Sequence, residues 1–257
     1  MNVLVFDIET IPDIDGSRRL YDLHGLSDED VARAVFHLRR QQANSETLRH
    51  HLHRIVAISA LLVSGDNFKL WSLGDEDSSE QDLLQRFYAG LERYSPQLVS
   101  WNGSGFGLPV IQYRSLLYPL NARRYWESGR DDSEFHDNNY PSRFHQRHTD
   151  LMDVLSAYQP QASISLQEIA CLCGFPGNIG LHGKRAWETW LSGDIQTIRN
   201  DCETRVLNTY LVYLNWERNR GNLDQQQYVA LCQRVRDELK NSSRAHLIQF
   251  ETNWIDL

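Results

Sequence analysis

The sequence lacks any apolar run long enough to cross a membrane. A span needs about 18 or more consecutive apolar residues, and nothing in the 257 residues approaches that length. The first ten residues, MNVLVFDIET, also lack the basic leader, apolar stretch and small-residue cleavage site of a secretory signal. We therefore interpret them as the first strand of the fold and expect a cytoplasmic protein without a membrane partner.

Cysteine is scarce and its spacing is uninformative. The four cysteines show neither CxxC nor Cys/His spacing, which predicts reduced thiols with no disulfide and no zinc site. Histidine is more frequent, with ten residues, and three of them fall in the segment LRHHLHR at 48–54. No partner ligands accompany these three, so we interpret the segment as a solvated helix end.

Positive charge is also in deficit. The formal net charge of −8 argues against a protein that simply coats nucleic acid, although an acidic metal site would still be compatible with a nucleic-acid enzyme. Two short segments combine basic and aromatic residues, NARRYW at 121–126 and SRFHQRH at 142–148. Such segments can hold phosphates and stack bases, but ordinary loop surface explains each of them equally well.

Hydrophobic periodicity predicts an α/β fold, a mixed sheet flanked by helices on both faces. The main domain is expected over 1–216, with insertions at about 14–50 and 121–146, and a helical C-terminal extension over 217–257. A long helix near 193–216 should bury one apolar stripe. The predicted strands are 2–6, 54–63, 68–74 and 97–101, and the other predicted helices are 27–42, 79–93, 108–117, one starting near Asp150, 165–174 and 223–240.

Two carboxylates follow the first apolar strand. Residues two apart on a strand project from the same face, so Asp7 and Glu9 should lie side by side. Their mutual repulsion would be relieved by a divalent ion such as Mg²⁺, which prefers carboxylate oxygens. The alternative is that both residues merely occupy a solvated strand end, since the pattern DxE is common by chance.

A glycine-rich turn follows the strand at 97–101. The segment SWNGSGFGLPV places three glycines within five residues, which indicates a strand-to-helix turn that another group approaches closely. It lacks the GxGxxG spacing and the Lys-Ser/Thr pair of phosphate-binding loops. A nucleotide-binding fold of that kind is therefore disfavoured.

Four segments together resemble one family. FDIET at the N-terminus, WNGxxFxLPV in the turn, HTDLMDVLS at 148–156 and CETxVLNTYLVYL in the long helix resemble the RNase H-like DEDD 3′–5′ exonucleases of the DEDDy type. Within that group the sequence is most similar to the predicted exonucleases related to the proofreading domain of family B DNA polymerases. The resemblance covers about residues 1–216.

The resemblance implies a function and a site. Asp7 and Glu9 would hold catalytic Mg²⁺ or Mn²⁺ for two-metal hydrolysis of a phosphodiester, and Thr10, Asn102 and Phe106 would contact the substrate. That substrate would be a single-stranded 3′ end, with DNA favoured over RNA. The extension over 217–257 is the segment where a protein partner could bind.

Three positions depart from the family pattern. Gly107 stands where the family has an aspartate, and Asp201 and Arg205 stand where it has Tyr-x-x-x-Asp. Arginine stays protonated, so we hypothesise that Arg205 replaces the charge of the metal and that no metal cofactor is bound. In the alternative, Arg205 simply pairs with Asp201, one helical turn away.

Asp201, four residues before Arg205, is a candidate for a displaced carboxylate ligand, and two other acids are further candidates. Glu203 lies on a different face of the helix from Asp201, and Asp150 is expected to be a helix N-cap, so both are poor candidates. Two functions stay open: an exonuclease with weak or lost activity, and a non-catalytic protein of the same fold that binds nucleic acid or a protein partner.

Overall fold

The first strand is apolar on both faces and forms the centre of the sheet. The computed structural model describes residues 2–45, 47–178, 180 and 185–255. Five strands lie in the order β3-β2-β1-β4-β5. β2 is antiparallel to its neighbours β1 and β3, whereas β4 is parallel to its neighbours β1 and β5. Their bounds are β1 Asn2–Pro12, β2 His53–Ser64, β3 Asn67–Ser72, β4 Gln97–Ser100 and β5 His148–Asp150.

Helices cover both faces of this sheet, which confirms the predicted α/β architecture. Leu4, Phe6 and Ile8 pack into the core beneath α3 and α4, whereas Val5 points to the opposite core beneath α8. The helices are α1 Ile14–Tyr21, α2 Asp28–Ala43, α3 Glu80–Tyr94, α4 Leu108–Ser115, α5 Leu151–Leu155, α6 Leu166–Leu172, α7 Arg185–Leu191, α8 Ile195–Asn219, α9 Gln225–Lys240 and α10 Ala245–Thr252.

The long helix α8 crosses the sheet and carries the predicted apolar stripe. All of its five members are buried, and they are Ile198, Cys202, Val206, Tyr210 and Leu214. Asp194 caps the first turn by accepting a hydrogen bond from the N–H of Thr197. This packing fixes the rotation of α8 and therefore decides which of its polar side chains face β1.

The helix predicted at 27–42 begins where the sequence predicts. Ser27 caps α2 through the N–H of Asp30, and Ser79 caps α3 in a reciprocal box with Asp82. Gly65 has a positive φ of 54° in the turn between β2 and β3, where the hairpin was expected.

Two strands differ from the prediction. β1 continues past Phe6 to Pro12, so that Asp7 and Glu9 lie within the strand. Residues 148–150 form the short strand β5, which was not predicted, whereas α5 begins at Leu151 with Asp150 as its N-cap, as predicted. A three-residue strand is too short to show any periodicity, and its pairing with β4 is not encoded locally.

The segment 121–146 contains no α-helix or β-strand within its described residues, as expected for a loop. It is nevertheless anchored, because Tyr125, Phe135 and Tyr140 are buried in the core beneath α3 and α4. None of the three aromatic residues belongs to a periodic pattern. The sequence therefore gave no sign that this loop contributes to the core.

The C-terminal helices pack onto the same body. Val235 and Leu239 of α9 and Leu247 and Phe250 of α10 share a hydrophobic cluster with α8 and β1. Within the described residues, no helix combines the length and apolarity that crossing a bilayer requires.

Candidate functional site

A cleft opens beside the part of β1 that extends beyond the end of β4. β4 ends at Ser100 and pairs with β1 only as far as Val5, whereas β1 continues to Pro12. The chain then turns away over Gly103–Gly107 into α4, and α8 crosses on the other side. The continuation of β1 carries Asp7 and Glu9 into the cleft.

The structure brings Arg205 of α8 against both carboxylates. Its Nε lies 2.7 Å from Oδ2 of Asp7, and its Nη1 donates a hydrogen bond to Oε1 of Glu9. The Asp7 contact is ionic rather than an aligned hydrogen bond, because Oδ2 has no hydrogen-bond partner of acceptable geometry. One guanidinium therefore bridges the two acids that the sequence singled out.

The environment shifts the protonation of these groups. Burial raises the pKa of Asp7, although Arg205 opposes the shift. Burial likewise raises the pKa of Glu9 to about 7, against the attraction of Arg205 and with the repulsion of Asp7. Burial disfavours the charged guanidinium, but the two carboxylates outweigh it and raise the pKa of Arg205. Arg205 therefore stays a cation.

Two further acids of α8, Glu203 and Asp201, differ in their position relative to the cleft. Glu203 points away from the cleft and accepts hydrogen bonds from Ser72, Arg244 and His246. Asp201 is buried on α8 and raises the pKa of both Glu9 and Arg205 through its charge. Glu203 is thus excluded as a replacement ligand, as its helical position predicted.

Asp150 has a role that sequence reasoning found only in part. It caps α5 through the N–H of Met152, as predicted, and it also accepts the N–H groups of Asn102 and Ser104, both at 2.8 Å. A buried carboxylate therefore holds the glycine turn in place from beneath. The only sequence signal was the cap itself, since the turn lies 46 to 48 residues away.

The three glycines of the turn are not equivalent. A Cβ at Gly103 would overlap the Ser100 hydroxyl, and a Cβ at Gly105 would overlap the side chain of Asn102, itself left-handed at φ 60°. A Cβ at Gly107 would meet only Cε2 of Phe6 at an ordinary 3.8 Å, and Gly107 has a helical φ of −58°. The turn thus has least room for a side chain at Gly103, whereas at Gly105 the side chain of Asn102 would have to move and at Gly107 a Cβ would fit.

Two cavities flank the bridging arginine. One, of about 300 Å³, contains Asp7 and is bounded by Asn102 and Met152. The other, of about 410 Å³, contains Glu9 and Thr10 and has Phe36 and Trp187 in its wall. Phe106 and Arg205 line both cavities. The predicted contact residues therefore surround one divided cleft.

The segment 48–54 is not the solvated helix end that we expected. Its His50 donates a hydrogen bond from Nε2 to the carbonyl of Gly105, and His53 pairs with the hydroxyl of Thr10 at 2.8 Å. Both rings pack against Phe106, with centroids 5.8 and 5.0 Å away. Burial lowers the pKa of His53 to about 4, so the imidazole of His53 is neutral.

The residues present do not fit a two-metal centre. Gly107 contributes no oxygen, a guanidinium contacts both remaining carboxylates, and Asp150 is occupied by backbone N–H groups. Within the described part of the chain, no group of three or more His, Cys, Asp or Glu side chains is arranged to hold a metal ion.

Comparison with known proteins adds a family and a fold. Residues 45–254 match the family described as predicted 3′–5′ exonuclease related to the exonuclease domain of PolB. The matched range begins after β1 and includes the whole of α9 and α10. No curated protein is significantly similar to the chain.

Among solved structures, the chain is similar to the family B DNA polymerase from the hyperthermophilic archaeon Pyrobaculum calidifontis, with a TM-score of 0.50 and 13% identity. The similarity covers 83% of this chain and 25% of the polymerase chain, so the chain spans about a quarter of that protein. At this identity the likeness establishes the fold alone, which is the expected RNase H-like mixed sheet.

Proposed function

Since this chain belongs to the family of predicted 3′–5′ exonucleases related to the exonuclease domain of PolB, we propose that it binds the 3′ end of a single-stranded nucleic acid without cutting it. The observation that carries the proposal is the contact of Arg205 with both Asp7 and Glu9. The exonuclease-like fold then serves as a binding module whose hydrolytic centre has been replaced by an ion pair.

The chemistry of the guanidinium supports the loss of cleavage. Two-metal hydrolysis uses carboxylates to hold ions that activate water and stabilise the leaving oxygen. Arg205 has no lone pair to act as a base and does not release its proton at physiological pH. A metal ion entering between Asp7 and Glu9 would have to displace a cation that both carboxylates already contact.

The shape of the cleft supports the retention of binding. The two cavities meet at Phe106, and the wall beyond it carries Phe36 and Trp187. Aromatic faces of this kind stack bases without regard to sequence. Asn102 and Thr10 lie on opposite sides of Phe106 and would contact the sugar-phosphate backbone. DNA is favoured over RNA because the similar solved structure is a DNA polymerase.

The direct test combines cleavage and binding on one substrate. A 5′-labelled 12-nucleotide single strand is incubated with the full chain and either Mg²⁺ or Mn²⁺. We expect no shortening, together with binding by fluorescence anisotropy that is equally strong in EDTA. Progressive shortening that disappears in Asp7→Ala would refute the loss of cleavage, and absence of binding would refute the binding role.

Restoring the family residues provides the matched control. The triple variant Gly107→Asp, Asp201→Tyr, Arg205→Asp returns all three departing positions to the family pattern, and a side chain at 107 meets no steric obstacle. We expect Mn²⁺ to raise the melting temperature of the triple variant and to leave that of the natural chain unchanged. If the triple variant shows no response to Mn²⁺, the assignment of these positions to the metal site is wrong.

A further inference from the structure

Outside the cleft, two aromatic rings and a guanidinium form an exposed cluster. Phe144 is 77% exposed and Tyr158 is 37% exposed, yet their rings lie 5.4 Å apart at an angle of 63°. The guanidinium of Arg143 sits 5.2 Å from the centroid of the Tyr158 ring. Large aromatic side chains that cluster in solvent rather than in the core mark surfaces of interaction.

The cluster is held in place by its surroundings. Asp153, which is buried, accepts two hydrogen bonds from Arg143, from Nε at 2.8 Å and from Nη2 at 2.7 Å. Such a two-point contact fixes the plane of the guanidinium. The same residue's carbonyl accepts the N–H of Tyr158 at 2.8 Å. One buried residue thus positions both partners of the cation–π pair.

The backbone that presents Tyr158 is also unusual. Ala157 and Tyr158 both have left-handed conformations, with φ of 51° and 60°. Residues with a Cβ rarely adopt this region, and a bulky aromatic is a genuine outlier there. Strain of this kind concentrates at functional sites. Here the strained turn directs an aromatic ring into solvent instead of burying it.

The cluster continues from the cleft. Met152 lines the cavity that contains Asp7, and the next residue, Asp153, holds Arg143. On the other side of the glycine turn, Arg143 and Asp153 line a further cavity of about 340 Å³ together with Ser104 and Gly105. A strand leaving the cleft past the turn would therefore meet this cluster.

The local charge suits a polyanion better than the chain as a whole does. Residues 138–149 contain Arg143 and Arg147 and no acidic residue, although the chain carries a net charge of −8. Arg143 is paired with Asp153, but its side chain stays 47% exposed. Exposed rings provide stacking faces for bases, and neighbouring cations attract the phosphates between them. The combination favours a single-stranded nucleic acid over an apolar protein surface.

We propose that Arg143, Phe144 and Tyr158 form a stacking platform for bases upstream of the 3′ end of a single-stranded nucleic acid. This inference rests on the proposed function, because it concerns the same strand after it leaves the cleft. The platform extends the bound length without adding any requirement for base sequence, since every base has a face that can stack.

The test is a length series with the full-length chain. Fluorescence anisotropy measures the Kd of deoxythymidine oligonucleotides of four and twelve nucleotides, the shorter of which reaches only the cleft. In the double variant Phe144→Ala, Tyr158→Asn we expect about a tenfold or greater loss of affinity for the twelve-mer and no change for the four-mer. Asparagine is chosen because it tolerates the left-handed backbone at 158.

Another arginine–tyrosine pair supplies the matched control. The guanidinium of Arg93 lies 5.1 Å from the ring of Tyr94, which is exposed at the end of α3, before β4 begins. Tyr94 therefore lies near the N-terminal end of β4, whereas the cleft lies beyond the C-terminal end of β4. We expect Tyr94→Ala to bind both oligonucleotides as tightly as the natural chain.

The outcomes separate the two proposals. If the twelve-mer binds and the double variant binds it equally well, the platform is refuted while the cleft proposal stands, and the exposed rings are left to a protein partner. If the four-mer fails to bind but the twelve-mer binds and depends on both rings, the cleft proposal is refuted, and with it the role of the rings as an extension of the cleft. If neither oligonucleotide binds, both proposals are refuted.

Discussion

Arg114 and Arg205 each bridge two carboxylates, and the two bridges differ in their burial and in the hydrogen bonds around them. Arg114 of α4 contacts Asp13 and Glu80, with side-chain exposures of 5%, 8% and 2%. Arg205 contacts Asp7 and Glu9, and the corresponding exposures are 30%, 18% and 11%. Both bridges include acids from β1 or the residue that follows it.

The hydrogen bonds around the two bridges differ more than the exposures do. Glu80 also accepts the N–H of Ile55 and the hydroxyl of Tyr118, so that its carboxylate receives donors from three other elements of the chain. Oδ2 of Asp7, in contrast, has no well-aligned donor, and Asp7 and Glu9 each line a cavity. The Arg114 bridge joins parts of the fold, whereas the Arg205 bridge fills a cleft.

The largest effect is expected at the structural bridge. Arg114→Met would leave two buried carboxylates without their cation, and breaking a buried pair in this way costs about 3–5 kcal/mol. Urea denaturation should show this loss in the free energy of unfolding. As a control, Arg123→Met removes the exposed pair with Asp131 and should leave the free energy of unfolding nearly unchanged, because solvent screens this pair.

Removing Arg205 should lower the free energy of unfolding by less than removing Arg114, and Mn²⁺ should affect only the first loss. Arg205→Met is expected to cost about 1–3 kcal/mol, because water reaches the site and Glu9 can take up a proton. Mn²⁺ should restore part of this loss by neutralising the same carboxylates, and it should not restore Arg114→Met. Equal recovery of the two variants in thermal denaturation would contradict the distinction between the bridges.

Protonation of Glu9 is expected to have a smaller effect on the free energy of unfolding. Because burial raises the pKa of Glu9 to about 7 from an ordinary 4.5, the folded chain binds more protons than the unfolded chain between these two pH values. Stability therefore falls as the pH rises through this window. Between pH 5 and pH 8 the natural chain should lose on the order of 1 kcal/mol more than Glu9→Gln. Parallel profiles of the two proteins would argue against a raised pKa.

The smallest effect is expected at the third glycine of the turn. Gly107→Ala should stabilise the fold by about 0.4–1 kcal/mol, since Gly107 is helical and the added Cβ meets no obstacle. Gly103→Ala should destabilise it, because its Cβ would overlap Ser100. A loss of stability at 107 as large as that at 103 would show that the fold itself requires this glycine.

Local patterns in the sequence predicted what depends on neighbouring residues. The caps at Ser27 and Asp150 and the buried stripe of α8 were found as expected. The approach of Arg205 to Asp7 and Glu9 also followed from the family motifs. That the site binds nucleic acid remains a prediction.

Features that join distant segments could not be predicted in this way. β5 is defined by its pairing with β4, about 50 residues earlier. His50 contacts Gly105 at a separation of 55 residues, and Asp150 holds the N–H groups of the turn across a similar distance. No periodicity marks such contacts, since they depend on packing between elements and not on the order of residues within one element.

The continuation of β1 beyond β4 has a consequence for which ligands can enter. An exposed strand edge usually invites a peptide to add as a further strand by donating and accepting backbone hydrogen bonds. Here the carboxylates of Asp7 and Glu9 and the guanidinium of Arg205 lie beside this part of the strand, and Pro12 has no N–H at all. A ligand that enters the cleft therefore meets charged side chains and the ring of Phe106.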